Sequence, residues 1–185
     1  MLRKPLISLA SLVLLAGAPA IAGNQAPVMA TDHDHAAAAP TSAAFERIKG
    51  LAGEWIAAED GPMTKKGDLV ARYTLTAGGS AVVETLLPGT PHEMVTVYTA
   101  EGQDVVLSHF CLNANAPRMR AKAPAGARYE FAYDGGTNIA PAVDKHMHSA
   151  WIEFVGKDEL KSQWTELDHG QQGMVVNMHT VRKAS

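Results

Sequence analysis

Leu69-Val70-Ala71-Arg72-Tyr73-Thr74-Leu75-Thr76 is the stretch on which the fold turns. Leu69, Ala71, Tyr73 and Leu75 alternate with Val70, Arg72, Thr74 and Thr76, the two-residue period of a strand that buries one face. The same period returns later, where Tyr129, Phe131 and Tyr133 alternate with Arg128, Glu130, Ala132 and Asp134.

Outward from these two segments, chain breakers recur at short intervals: Gly78-Gly79, Pro88-Gly89, Gly102, Pro124 to Gly126, Gly135-Gly136, Gly156 and Gly170 to Gly173. The runs between them give about ten strands joined by short connections, which makes neighbours antiparallel. Only one helix is expected. Thr41 or Ser42 caps it, Phe45, Ile48 and Leu51 recur on one side, and Gly53 ends it. The fold class is therefore all-β, an up-and-down antiparallel barrel of about ten strands behind one short N-terminal helix. Closure removes the exposed edges that would otherwise invite association. A β-sandwich satisfies the same periodicity and is the competing architecture.

The N-terminus reads as an export signal over residues 1–22. Arg3 and Lys4 precede an apolar run from Leu6 to Gly17 interrupted only by Ser8 and Ser11, and Ala20-Ile21-Ala22 supplies the small-x-small cleavage pattern. The run falls short of the roughly 20 residues needed to span a bilayer. Ala18 stands where a lipoprotein would carry its lipidated cysteine. The expectation is an exported protein, periplasmic or extracellular, starting near Gly23 and holding no membrane segment after cleavage. Residues 23–40 are rich in Ala, Pro and small polar side chains and read as a disordered spacer. Within it, Asp32-His33-Asp34-His35 is a solvated tail with some capacity for a divalent ion.

Residues 41–185 form the barrel domain. Cys111 is the sole cysteine, so no intramolecular disulfide supports the fold, and a packed core must. The net charge is −3 with scattered basic residues, which excludes a nucleic-acid footprint. No motif specifies an oligomeric state.

Strand parity nominates the residues of the lumen. Val105, Leu107, His109 and Cys111 share one face, opposite Val106, Ser108, Phe110 and Leu112. From Lys145 to Val155, His146 and His148 share a face with Ala150, Ile152 and Phe154, and those apolar partners turn both histidines inward. Leu160, Ser162 and Trp164 share another face, and Met119 opposes Arg118 and Arg120. A mostly apolar lumen with a few imidazoles is the composition of a small-molecule pocket. The expected function is the binding of an apolar or amphipathic molecule, with His109, His146 and His148 as polar contacts and Met119, Trp164 and Tyr73 in the wall.

A metal site is the alternative use of these histidines. His146 and His148 lie about 7 Å apart at Cα by strand rise, and His109 or Glu84 would complete an open zinc or copper site. No nucleophile is paired with a recognisable base motif. Cys111 reads as packing, His92-Glu93 as a rim pair beside the Pro88–Pro91 turn, and Glu84 faces water or lumen according to register.

Gly53-Glu54-Trp55 opening the first strand after a short helix, with Arg182 near the end of the last strand, resembles the lipocalin superfamily pattern. That resemblance implies Trp55 across the barrel floor with Arg182 over its ring, a cation–π contact. Gly79-Ser80-Ala81-Val82-Val83-Glu84-Thr85, Pro88-Gly89-Thr90-Pro91-His92-Glu93-Met94, Ser108-His109-Phe110-Cys111 and Pro117-Arg118-Met119 are similar to lipocalin-like secreted bacterial proteins of the domain of unknown function 1579. Thr137-Asn138-Ile139, His146-Met147-His148 and Trp164 fit the same pattern, so the resemblance runs from Phe45 to Arg182. It implies the fold and carries no activity. Ala114-Asn115-Ala116-Pro117 departs from that family's Gly-Asn-Gln-Pro, which removes any role for an amide at position 116.

Haem-binding nitrobindins share the ten-stranded barrel and a Gly-x-Trp-x-Gly-x-Gly opening, from which this chain departs at Ala57 and Glu59. That more distant resemblance implies haem as an alternative cofactor, with His179 as its candidate ligand.

Overall fold

The computed structural model describes residues 42–184. The expected export signal, the spacer and the Asp32–His35 tail lie outside the described residues.

Ser42 caps the helix as its sequence suggests, its hydroxyl accepting from the Phe45 amide at 3.2 Å. Helix α1 (Ala43–Lys49) is shorter than expected and ends at Gly50, whose amide donates to the Glu46 carbonyl, while the Leu51 amide donates to the Ile48 carbonyl. Gly53 does not end the helix; it opens β1.

Ten strands follow: β1 (Gly53–Ala57), β2 (Leu69–Thr76), β3 (Ala81–Leu86), β4 (Met94–Glu101), β5 (Asp104–Phe110), β6 (Ala116–Ala121), β7 (Arg128–Thr137), β8 (His146–Phe154), β9 (Glu159–Asp168) and β10 (Gln171–Arg182). Each pairs antiparallel with the next, and β1 also pairs with β10, with Trp55 opposite Arg182 and Ala57 opposite Thr180. The sheet closes on itself into an up-and-down barrel, which settles the choice against a sandwich.

Two register shifts matter for what lies inside. One falls between Pro117 and Met119, opposite Gly136 and Tyr133. Gly135-Gly136, which reads as a break in the sequence, therefore lies within β7. A Cβ on Gly136 would meet the Ala116 carbonyl oxygen at 2.7 Å and the Pro117 Cα at 2.9 Å, so glycine lets β6 and β7 approach there. The second shift, between Met147 and Ser149, places Met147 opposite Glu166 while Ala150 stays opposite Trp164. A bulge of this kind re-aims side chains locally.

The lower lumen is filled. Trp55, Tyr98, Phe131, Leu107, Met119 and Ile152 are all fully buried there, and the Tyr98 and Phe131 rings meet edge to face at 6.2 Å. Helix α1 lies at this end with Phe45 and Ile48 buried, and the Tyr129 hydroxyl reaches the Ala44 carbonyl at 3.4 Å. Arg182 completes the floor as the lipocalin-like pattern implies. Its guanidinium carbon lies 4.5 Å from the Trp55 ring centre, and its Nη1 and Nη2 donate to the Ala52 and Gly50 carbonyls at 2.7 and 2.8 Å. One side chain thus holds the strand closure and the end of the helix together.

The outer wall is polar where β6 crosses it. Arg120 pairs with Asp104 at 2.9 Å and with Glu101 at 2.6 Å, and Arg118 pairs with Asp134 and Glu101. These pairs fix the parity that turns Met119 inward. Among the described residues, no helix is long and apolar enough to cross a membrane.

Candidate functional site: the barrel mouth

The end opposite α1 carries the β1–β2, β3–β4, β5–β6, β7–β8 and β9–β10 connections, and there the lumen is open. A cavity of about 220 Å³ occupies it. Its inner wall is built by alternate residues of the strands: Leu86 of β3, Met94 of β4, His109 of β5, Trp164 of β9 and Val176 of β10, with Cys111 just past β5. Met147 and Met178 complete the wall, and Met63, His92 and Met174 stand at the rim. The lining is largely apolar and rich in thioethers, which are polarizable and adapt to a guest's shape.

His109 is the polar feature of the inner wall. It is 1% exposed, and its Nδ1 lies 2.9 Å from the Thr96 hydroxyl. Its ring lies 4.7 Å from that of Trp164. Its Nε2 is buried without a partner, although an unpaired buried polar atom costs about 1–3 kcal/mol. Burial pushes the His109 pKa down to about 4, so the ring is neutral at physiological pH.

Behind His109 sits a buried carboxylate. Glu84 is 3% exposed and accepts from the Tyr73 hydroxyl at 2.6 Å and the Tyr98 hydroxyl at 2.8 Å. Burial raises the Glu84 pKa, opposed by its hydrogen bonds from the two tyrosines. Burial, with the Glu84 charge second, holds both tyrosines well above their usual range, so both remain donors. Thr96, opposite Glu84 in the β3–β4 register, is the residue whose hydroxyl meets the imidazole.

A second polar group stands nearer the opening. Glu166 is 2% exposed, with Lys145 Nζ 3.3 Å from one oxygen and the Asn113 amide 3.5 Å from the other.

The candidates named from sequence separate into groups. His109 and Trp164 meet in the cavity wall. Tyr73 lies deeper, tied to Glu84, and its ring contacts Trp55 edge-on at 6.3 Å. Met119 is fully buried below the cavity.

His146 and His148 form their own cluster with Tyr133, whose ring stacks on His148 at 5.1 Å. His146 Nδ1 lies 2.7 Å from the Asp144 carbonyl and must donate to it, while Nε2 lies 3.1 Å from His148 Nδ1. Because of the β8 bulge, Met147 and not either histidine lines the cavity. The structure does not join this pair to His109. Among the described residues, no group of three or more His, Cys, Asp and Glu is placed to share a metal ion.

His179 lies apart from the mouth cavity. Its Nε2 is 2.9 Å from Glu159 and its Nδ1 is 3.7 Å from Glu59, and it borders a cleft of only about 40 Å³.

The sequence reading did not anticipate the methionines or Glu166. Met94 carried a signal: it is directly opposite Leu86 and one step from the Val95–Phe110 pair, so it follows from the parity of β4. Glu166 also follows from parity, two residues beyond Trp164 on the same face of β9, whereas Met147 depends on a bulge in β8 that no pattern announced.

No protein-family model and no curated protein matches this chain. The closed ten-stranded antiparallel barrel is compatible with a lipocalin-like architecture.

Proposed function

We propose that this protein is an exported barrel that binds a small apolar or amphipathic molecule in its mouth. The observation that carries the reading is the open cavity of about 220 Å³, walled by apolar and thioether side chains around a buried imidazole nitrogen without a partner. Apolar walls supply burial, and a few fixed polar groups orient a guest. The motif resemblance to secreted lipocalin-like proteins of the domain of unknown function 1579 supports the same direction. The filled floor confines the guest to the upper half of the barrel.

The test is native mass spectrometry of protein expressed with its own N-terminus and recovered from a periplasm. A stoichiometric organic adduct supports the reading, and the adduct should vanish when Val176→Phe fills the cavity. Repeatedly ligand-free spectra leave a structural envelope protein in its place.

A second reading, a soft transition-metal ion, is favoured by one observation: Cys111 and His109 share the wall with Met94, Met147 and Met178. Thiol, thioether and imidazole donors suit Cu(I). Competition against a coloured Cu(I) chelator tests it, and failure to withdraw one equivalent of the metal rejects it. His179, with both nitrogens beside carboxylates, lends the haem alternative no support.

A further inference from the structure

Independently of the mouth, we infer that His146 and His148 form a two-coordinate site for a monovalent d10 metal ion, Cu(I) or Ag(I). The two rings meet head to head. His146 Nε2 lies 3.1 Å from His148 Nδ1, and the ring centres lie 5.3 Å apart. That separation is the nitrogen–nitrogen distance plus the two ring radii, so both nitrogens lie close to the line of centres. Each ring therefore aims a nitrogen at the other. The Asp144 carbonyl, 2.7 Å from His146 Nδ1, can only accept. Neutral His146 thus keeps its proton on Nδ1 and its lone pair on Nε2. Metal-bound histidines almost always donate their other N–H to a carbonyl, a carboxylate or water, which fixes tautomer and ring orientation. His146 is held in that way by the backbone of its own strand entry.

The surroundings select the ion. Among the described residues, no third His, Cys, Asp or Glu joins the pair. Zn(II) fills its structural sites with four ligands, whereas Cu(I) and Ag(I) accept two in line, and imidazole suits copper. Tyr133 closes a third side. Its ring centre lies 5.1 Å from each imidazole centre, and it stacks on His148 with the planes 16° apart. The three centres make a triangle with sides of 5.1, 5.1 and 5.3 Å. Its median puts the midpoint of the imidazole pair about 4.4 Å from the tyrosine centre, inside the roughly 6 Å reach of a cation–π contact. Metal–nitrogen bonds of about 2 Å require the nitrogens to part by about 1 Å. His146 is fully buried and tied to Asp144, so the half-buried His148 is the ring that moves. As the ion enters, the His148 Nδ1 proton leaves to solvent and one returns to Nε2 of the same ring. Nothing is oxidised or reduced, and the charge gained is that of the ion.

Ag(I), which is redox-inert, is the probe. The full chain carrying Cys111→Ser, which removes its one thiol, is titrated with Ag(I) while histidine ¹⁵N spectra are recorded. His146 Nε2 and His148 Nδ1 should shift together, with the His148 proton moving to Nε2. They should do so at about 100-fold lower free Ag(I) than the exposed, single imidazole of His169, the gain expected from two ligands already brought together. His148→Phe keeps the stack on Tyr133 and should return His146 to the single-ligand level. Tyr133→Leu should weaken the site about two- to fivefold. The unaltered chain, followed after Cys111 has taken up its equivalent, gives the same readout without any substitution. Movement of only one of the two nitrogens, movement no earlier than that of His169, or a pair undisturbed by excess Ag(I) overturns the inference. So does Zn(II), if it moves the same nitrogens as tightly as Ag(I).

Discussion

The His109 and Trp164 rings meet with their centres 4.7 Å apart, and the imidazole between this indole and Thr96 is sealed from water. That seal has a thermodynamic consequence at acid pH. His109 titrates at about 4 in the fold against 6.5 when free. The unfolded chain therefore takes up this proton first. Stability from the neutral ring is complete above pH 6.5 and is lost as pH falls toward 4, by about 3 kcal/mol. Urea unfolding at intervals from pH 7 to 4 should show this loss, and His109→Phe should flatten that part of the curve.

Glu84 acts in the opposite sense. Its folded pKa is raised above 4.5, so its contribution is greatest below that value and declines as pH climbs through the folded value. In Glu84→Gln one hydroxyl of the cluster must turn round to accept from the new amide, a cost of about 1–3 kcal/mol. The variant's deficit should be largest near pH 4.5 and shrink as pH rises. A deficit that grows with pH would show that the carboxylate is stabilised in its ionised form.

Arg182→Met removes the guanidinium over Trp55 and both hydrogen bonds to the Ala52 and Gly50 carbonyls. The methionine keeps most of the apolar cover. The expected loss is about 2–3 kcal/mol, from one partly buried cation–π contact and two charge-assisted hydrogen bonds. Chemical denaturation measures it, and Trp55 fluorescence should shift as water reaches the floor. Arg182→Lys should recover less than half, because an ammonium does not span both carbonyls above the ring.

Gly136→Ala should cost at least about 2 kcal/mol, because the added methyl meets backbone of β6 on two sides within 2.9 Å and overpacking of that kind is not relieved by a rotamer change. Gly67→Ala, where no atom lies within 4 Å, is the control: it carries only the strain of a positive φ. A thermal melt of the two variants should separate them, with Gly136→Ala the lower.

Much of the barrel was legible because its signal is local. The alternation through Tyr73 and through Phe131, the capping Ser42 and the spaced glycines all report backbone choices made within a few residues. The floor was legible for a different reason: Trp55 and Arg182 stand at the two ends of the domain in a recognisable order. His109 and Trp164 followed from strand parity and do meet in the cavity.

The placement of His146 and His148 did not follow, because parity holds only while register is unbroken. The shift between Met147 and Ser149 exchanges which side chain reaches the cavity. Gly135-Gly136 misled for the related reason that a glycine pair admits a close approach inside a strand as readily as it ends one. The ring of methionines was invisible because a flexible apolar residue carries no periodic mark of its own; it is gathered only by closure.

The floor made by α1, Trp55 and Arg182 turns the barrel into a cul-de-sac. If the mouth holds a guest as proposed, that guest has one door and must back out by the route along which it came. No newcomer can slip in behind it and push. Release is then paced by the occupant's own escape, and the rate measured in a chase should stay constant however much competitor is added. A tunnel open at both ends would allow overtaking; under the proposed function, a barrel closed at one end would not.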